Sequence, residues 1–270
     1  MSLESSGGVR DQQGISRIKY IDVDEANPGN VLNISDFPCF DIGNPGCFDD
    51  NGVILGDIID INDRLYMYYV GFQHVEKVKF FAFSGLAISD DNGCTFKRCS
   101  EVPVMDRTTT ARYGRCIHTV LYEKGIFRCY YAVINDWKKI NNVPYPVYNI
   151  WYAESEDGIH FPDEDKHLCI DVSGDEYRIG RPKVYKLPDG TYEMYYTRDF
   201  VTKQYLAGYA TSKDGIHWNR CDNRLRLRKS GENWDEEMAC YPVKIVTPNN
   251  TYLIYNGNGM GKDGIGYMRL

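Results

Sequence analysis

The sequence predicts an all-β fold: a five-bladed β-propeller of four-stranded antiparallel blades, the first blade incomplete at the N terminus. Three observations predict it. A tyrosine-rich phrase occurs four times, as RLYMYYVG (64–71), IFRCYYAV (126–133), TYEMYYTR (191–198) and TYLIYNGN (251–258), with Tyr68, Tyr130, Tyr195 and Tyr255 spaced by 62, 65 and 60 residues. No segment sustains a 3.6-residue apolar period, so little helix is expected. Tandem four-stranded antiparallel units are the building plan of propellers, and the period is longer than that of WD repeats, whose Gly-His and Trp-Asp signatures are absent.

The repeated phrase is strand B of each unit. Strand A precedes it, in VILGDIIDI, CIHTVLY, RPKVYKL and YPVKIV, and strand C follows, in GLAISDDNGCTF (85–96), WYAESEDGIHF (151–161), GYATSKDGIHW (208–218) and GIGYMRL (264–270). A short closing strand D is read in runs such as EVPVM and LRLRK. At the N terminus SRIKYIDVD (16–24) reads as a C strand and FPCFDI (37–42) as a D strand, without their A and B. The expected plan is a flexible segment 1–15 and one propeller domain 16–270, with units 16–45, 46–110, 111–174, 175–232 and 233–270.

The C-to-D turns share a spelling. Ser155, Asp157 and Gly158 recur as Ser212, Asp214 and Gly215, and in looser form as Ser89, Asp91 and Gly93. A short Asp side chain accepts hydrogen bonds from N–H groups of its own turn, and glycine supplies the positive φ. A residue needed in every unit is a structural residue, so Asp157, Asp214, His160 and His217 are read as turn residues. The spelling resembles the Asp-box hairpin of sialidase-type propellers.

Composition narrows the function. Of 270 residues, 43% are apolar, enough for a sizeable core, and the net charge is −7. That balance argues against nucleic acid, which is held by clustered Lys and Arg. No run of about 18 apolar residues exists to span a membrane. The segment MSLESSGGVRDQQG has no apolar stretch typical of a signal peptide, so a cytoplasmic protein is expected. The nine cysteines contain no CxxC pair and are read as reduced, mostly buried thiols rather than metal ligands. No metal or cofactor is expected. The 22 tyrosines suit both strands and sugar clefts.

Chemistry is sought where the units differ. The segments leading into the A strands read GCFDDNGVI (46–54), ARYGRCIH (111–118), DEYRIGRPK (175–183) and NWDEEMACYP (233–242), and Asp50, Arg112, Tyr177 and Glu237 share an offset of 18 before the aligned tyrosines. Two carboxylates at equivalent positions suit glycoside cleavage, which needs an acid and a base or nucleophile flanking the bond. Arg112, Arg115 and Arg181 are candidates for a carboxylate, a phosphate or a sugar hydroxyl. Asp57, inside strand A, reads equally as a channel-lining group and as a solvated or salt-bridged one. YNGNGMGKDGIG (255–266) lacks P-loop spacing and reads as a loop offering Asn256, Asn258 and Lys262 to a polar ligand.

The phrases Phe48-Asp49-x-x-Gly52-Val53, Ile179-Gly180-Arg181-Pro182, Trp234-Asp235-x-Glu237-Met238 and Tyr255-Asn256-Gly257-Asn258-Gly259 resemble the five-bladed propellers of glycoside hydrolase families 43, 32 and 130. They are nearest the glycosidase-like proteins of bacterial surface-polysaccharide gene clusters. The resemblance covers residues 16 to 270. It implies a saccharide ligand, Asp49 or Asp50 as base or nucleophile, and Glu237 as acid, with Glu236 the second choice and Asp235 beside it for substrate. Families 43 and 32 also carry a third carboxylate on a middle blade, where this chain has YRIGRPK. That departure brings in phosphorolysis, as in family 130, with inorganic phosphate as co-substrate, or glycosyl transfer on the same fold. A non-catalytic saccharide-binding propeller is the other alternative.

Overall fold

The structure is a computed structural model, which describes residues 2–3, 14–202, 204–227 and 229–270. Strands β1 (Ser2–Leu3), β2 (Ile21–Val23) and β3 (Val31–Ile34) form a small antiparallel sheet with β2 in the middle. A first unit follows in β4 (Val53–Ile61), β5 (Arg64–Gln73), β6 (Phe81–Ser89) and β7 (Lys97–Arg98). A second holds β8 (Gly114–Glu123), β9 (Ile126–Ile140), β10 (Val143–Ser155) and β11 (His167–Ile170). A third holds β12 (Glu176–Lys186), β13 (Tyr192–Phe200), β14 (Tyr205–Ser212) and β15 (Trp218–Arg220). The last holds β16 (Met238–Val246), β17 (Thr251–Asn256) and β18 (Ile265–Arg269). Among the described residues, helix is confined to the turns at Asp222–Arg224 and Asn258–Gly261.

Within the first three units the strands run antiparallel in the order A, B, C, D, and the last unit holds A, B and C, as the sequence predicts. Between units, the start of strand C pairs in parallel with the start of the next strand A, at Ala82 with Gly114, Tyr148 with Arg178 and Tyr205 with Met238. The N-terminal segment meets the first unit comparably: Val53 N–H donates to the Ser16 carbonyl at 2.9 Å. The cores lie between neighbouring units. Tyr68 and Leu86 of the first unit pack with Ile117 and Phe127 of the second. Tyr130 and Ile150 of the second pack with Ile179 and Met194 of the third. Each such side chain contributes about 1.5–3 kcal/mol when fully buried.

Two closing strands differ from expectation. Strand D begins at once after the turn, at Lys97 and Trp218, rather than in EVPVM or LRLRK, because antiparallel pairing with C has to start beside the hairpin; Met105 keeps only a single bridge to Ser84. At the N terminus β2 pairs with Val31–Ile34 rather than with FPCFDI. Asp24 Oδ1 accepts the N–H groups of Ala26 (2.8 Å) and Asn27 (3.1 Å) and turns the chain early. Phe40 then makes only an isolated bridge to Ile18.

The C-to-D turns have the structural role read from their repetition. Asp214 Oδ1 accepts the N–H groups of Ile216 and His217, both at 2.8 Å, and Ser212 Oγ accepts that of Gly215. Asp157 and Ser155 do the same. The turns also join the units: Tyr68 OH donates to the Gly158 carbonyl and Tyr130 OH to the Gly215 carbonyl, each at 2.9 Å. Gly215 has φ +77°, and a Cβ there would lie 2.8 Å from Tyr130 OH. Gly215→Ala is therefore expected to lose about 1–3 kcal/mol in urea unfolding; an unchanged midpoint would refute the latch. In the first turn Thr95 and Ser89 donate to Asp91 and lower its pKa from 3.8 to about 2. A depressed carboxyl pKa stabilises the fold above 3.8 and loses that effect as pH falls toward 2. Asp91→Asn is expected to flatten the stability profile in that window.

Candidate active site in the channel

All four A strands break register at one level: between Leu55 and Asp57, Ile117 and Thr119, Gly180 and Lys183, and Cys240 and Val243. A bulge re-aims side chains and lets strands approach closely. Gly56 shows how close: a Cβ would sit 2.3 Å from the Ile117 carbonyl oxygen and 2.7 Å from that of Tyr68. At the same level stand His118, Arg181 with Pro182, and Tyr241 with Pro242. Side chains tie the strands together. Thr119 Oγ1 donates to the Pro182 carbonyl (2.7 Å), Lys183 Nζ to the Gly56 carbonyl (2.8 Å), and Arg181 Nη1 to the Leu55 carbonyl (3.1 Å).

Asp57 is the carboxylate of this ring. It pairs with Lys183 Nζ at 2.8 Å and accepts the Val120 N–H at 2.8 Å, and 19% of its side chain is exposed. The two readings of Asp57 from sequence are thus both met: it is salt-bridged and it lines a cleft. His118 is buried, and among the described residues its Nδ1 has no partner. Burial first, then the charges of Arg181 and Lys183, hold its pKa well below the usual imidazole value, so it is neutral at pH 7. The cleft, about 690 Å³, opens between the N-terminal sheet and the last unit, and its wall includes Asp22, Leu55, Asp57, Lys183, Tyr241 and Asn256.

Of the residues singled out in the sequence, Asn256 lines the cleft, and Arg181 stands beside it at the bulge level, against the lining residues Leu55 and Tyr241. Asn256 donates Nδ2 to the Met260 carbonyl. Asp49 does not reach the cleft. It is fully buried, held by Arg98 Nε at 2.7 Å and Tyr69 OH at 3.1 Å. The arrangement repeats: Tyr131 and Arg115 hold Asp165, and Tyr196 and Arg220 hold Asp222. Asp235, also fully buried, accepts Tyr255 OH and both the N–H and Oγ of Ser230. Asp49 and Arg115 thus belong to a repeated Asp–Tyr–Arg arrangement, of which Asp235 shares the tyrosine alone.

The remaining predicted residues lie at or near the strand starts, Tyr177 inside β12 and Asn258 in the helical turn after β17. Asp50 Oδ2 caps its own loop at the Gly46 N–H (2.8 Å), and Arg112 holds the Asn135 carbonyl (2.7 Å). Tyr177 is buried, donates to Asp199 and lies beside Arg178. Asn258 accepts the N–H groups of Glu237 and Met238 (2.9 Å each) and donates to the Asn233 carbonyl. Glu236 is exposed and its carbonyl accepts Lys229 Nζ; Glu237 and Lys262 are exposed too. The glycines nearby make room for Trp234, whose ring would lie 2.2 Å from a Cβ at Gly266. Sequence reasoning missed His118, Lys183 and Tyr241. The available signal was the X-Pro step shared by Arg181-Pro182 and Tyr241-Pro242 in adjacent A strands. Asp49→Asn is expected to cost about 3–5 kcal/mol in denaturant unfolding, because it leaves Arg98 without its buried partner. Wild-type stability with lost activity would instead make Asp49 a reacting group.

No protein-family model matches the chain. It is 31% identical over 259 residues to the uncharacterized protein Rv1502 of Mycobacterium tuberculosis (strain ATCC 25618 / H37Rv), covering 95% of this chain and 84% of that one. A stretch of 130 residues, 46% of this chain and 43% of the other, is 30% identical to a 1,2-beta-oligomannan phosphorylase of Thermoanaerobacter sp. (strain X514). Among solved structures, a thermostable family-43 glycoside hydrolase superposes with a TM-score of 0.74 at 16% identity, covering 100% of this chain and 85% of that one. An endo-arabinase from Bacteroides thetaiotaomicron gives 0.67 at 12%, covering 100% and 88%. These neighbours share the β-propeller fold with this chain, and by sequence the chain belongs to the family of the Mycobacterium tuberculosis protein Rv1502.

Proposed function

We propose that this protein is a glycoside-processing enzyme that takes a saccharide at the channel cleft. The observation that carries this reading is Asp57: a carboxylate on a channel strand, facing a cleft and oriented from two sides by Lys183 and the Val120 N–H. The shared fold with glycoside hydrolases supports it. Asp57 takes the role of base or nucleophile that the resemblance implies for Asp49 or Asp50. Glu237, exposed at the lead-in to β16 with its backbone fixed by Asn258, is the proposed acid. A hydrolase needs two such carboxyl groups. Phosphorolysis is the second reading, favoured by the stretch shared with the oligomannan phosphorylase; inorganic phosphate then replaces water as the attacking group. The N-terminal sheet is read as the remainder of a fifth blade, supported by the Ser16–Val53 contact at the first unit.

The test is turnover of β-1,2-linked mannooligosaccharides and a panel of aryl glycosides, with and without phosphate. Asp57→Asn and Glu237→Gln are each expected to lower kcat by about 10²–10⁴, the range of a lost acid or base, with the urea midpoint of Glu237→Gln near wild type and that of Asp57→Asn lowered by the loss of the Lys183 pair. Wild-type rates in both variants would sink the assignment, and absence of turnover on every substrate would sink the function.

A further inference from the structure

Arg181 and Tyr241 both have φ +54°. The left-handed region costs a non-glycine residue about 1–3 kcal/mol, and such strain gathers at ligand sites. Both are bulge residues of adjacent A strands, and each precedes a proline. Strand β4 shows that glycine fits the same level, at Gly56. The two strained side chains meet, with the Arg181 guanidinium 4.5 Å from the centroid of the Tyr241 ring. Arg181 spends one N–H on the Leu55 carbonyl, and among the described residues its other N–H groups have no acceptor. Leu55, Lys183 and Tyr241 around it all line the cleft.

The charges at this level do not cancel. Lys183 is matched by Asp57, and His118 is neutral. Among the described residues, Arg181 is left as the cation without a counter-ion. We propose that Arg181, stacked on Tyr241, determines specificity by binding a carboxylate carried on the saccharide, which makes the substrate class a uronic acid-containing glycan. The proposal rests on the saccharide reading of the cleft. A planar guanidinium matches a carboxylate with two parallel hydrogen bonds. One cation also suits a monoanion better than a phosphate, whose charge at pH 7 is about −1.5 to −2.

The experiment is calorimetric titration with oligosaccharides ending in glucuronate, galacturonate or mannuronate, each beside its neutral methyl ester, and with inorganic phosphate alone. Wild type, Arg181→Gly and Arg181→Lys are compared, and their melting temperatures recorded. At least one acid is expected to bind about tenfold more tightly than its ester. The preference should vanish in Arg181→Gly, whose melting temperature stays at or above wild type once the strain is gone. It should be reduced in Arg181→Lys, which keeps the charge and loses the fork. Esters bound as well as acids, or a preference that survives Arg181→Gly, overturn the proposal. So does phosphate binding that Arg181→Gly abolishes while acids and esters remain equal. If no acid or ester binds at all, the saccharide reading itself falls, and this proposal with it.

Discussion

The approach of strands β4, β8, β12 and β16 at one level is the constraint from which the site follows. Inner strands of successive units converge there, and a regular ladder would bring backbone against backbone. Gly56 has no room for a side chain beside the Ile117 carbonyl. Each strand relieves the crowding with a bulge, and each bulge turns a side chain or a carbonyl out of the ladder. The freed carbonyls of Leu55, Gly56 and Pro182 are then taken up by Arg181, Lys183 and Thr119. The polar ring is therefore a consequence of the inner strands approaching one another at one level. Its composition differs from strand to strand, and that difference is where specific chemistry becomes available.

A second layer of polar groups lies away from the axis and does different work. Asp49, Asp165 and Asp222 are each held by a B-strand tyrosine and an arginine. A buried carboxylate without partners is costly, and with an arginine and a phenol it is matched. Burial, and then the neighbouring carboxylates, raise the pKa of these tyrosines, so they remain donors at any physiological pH. The same B strands carry Tyr68 and Tyr130, which reach the turns of the following unit. The tyrosine-rich phrase is thus explained by two hydrogen-bonding duties, one to an internal Asp and one to the next unit.

This explains why the architecture was legible in the sequence while the site was only partly so. The four B strands, their order and the Asp-bearing turns are local patterns with a fixed period, so spacing alone locates them. The closing strands and the β2–β3 hairpin depend on where a turn ends, as at Asp24, which spacing does not encode. The site was sought among lead-in residues such as Asp49, Arg115 and Asp235, on the ground that these segments differ between units. Their differences hid a common role, because Asp49 is supplied before strand A while Asp165 and Asp222 come after strand C. Equivalent carboxylates reach one spatial position from different places in the chain, and only the folded contacts show them to be equivalent. Arg181 is legible by its charge, and Asp57 by its place inside a strand. Lys183 needed the bulge between Gly180 and Lys183 to be seen beside Asp57.

The bulges also bear on how such a scaffold separates stability from specificity. The pairs that hold units together are buried and repeated, so altering one weakens the fold without altering what the channel can hold. The ring at the bulge level contributes little core: Asp57, Lys183, Arg181 and Tyr241 are half-buried, and two of them sit in strained backbone. Strain of that kind is sustained by the surrounding strands, which fix the prolines that follow Arg181 and Tyr241. Strands β12 and β16 therefore carry side chains that the backbone alone would not select, in a left-handed conformation that costs a non-glycine residue. A rigid, repeated exterior supporting a strained, non-repeated interior is a physical arrangement in which the sites that differ most between units are those free to take on ligand chemistry.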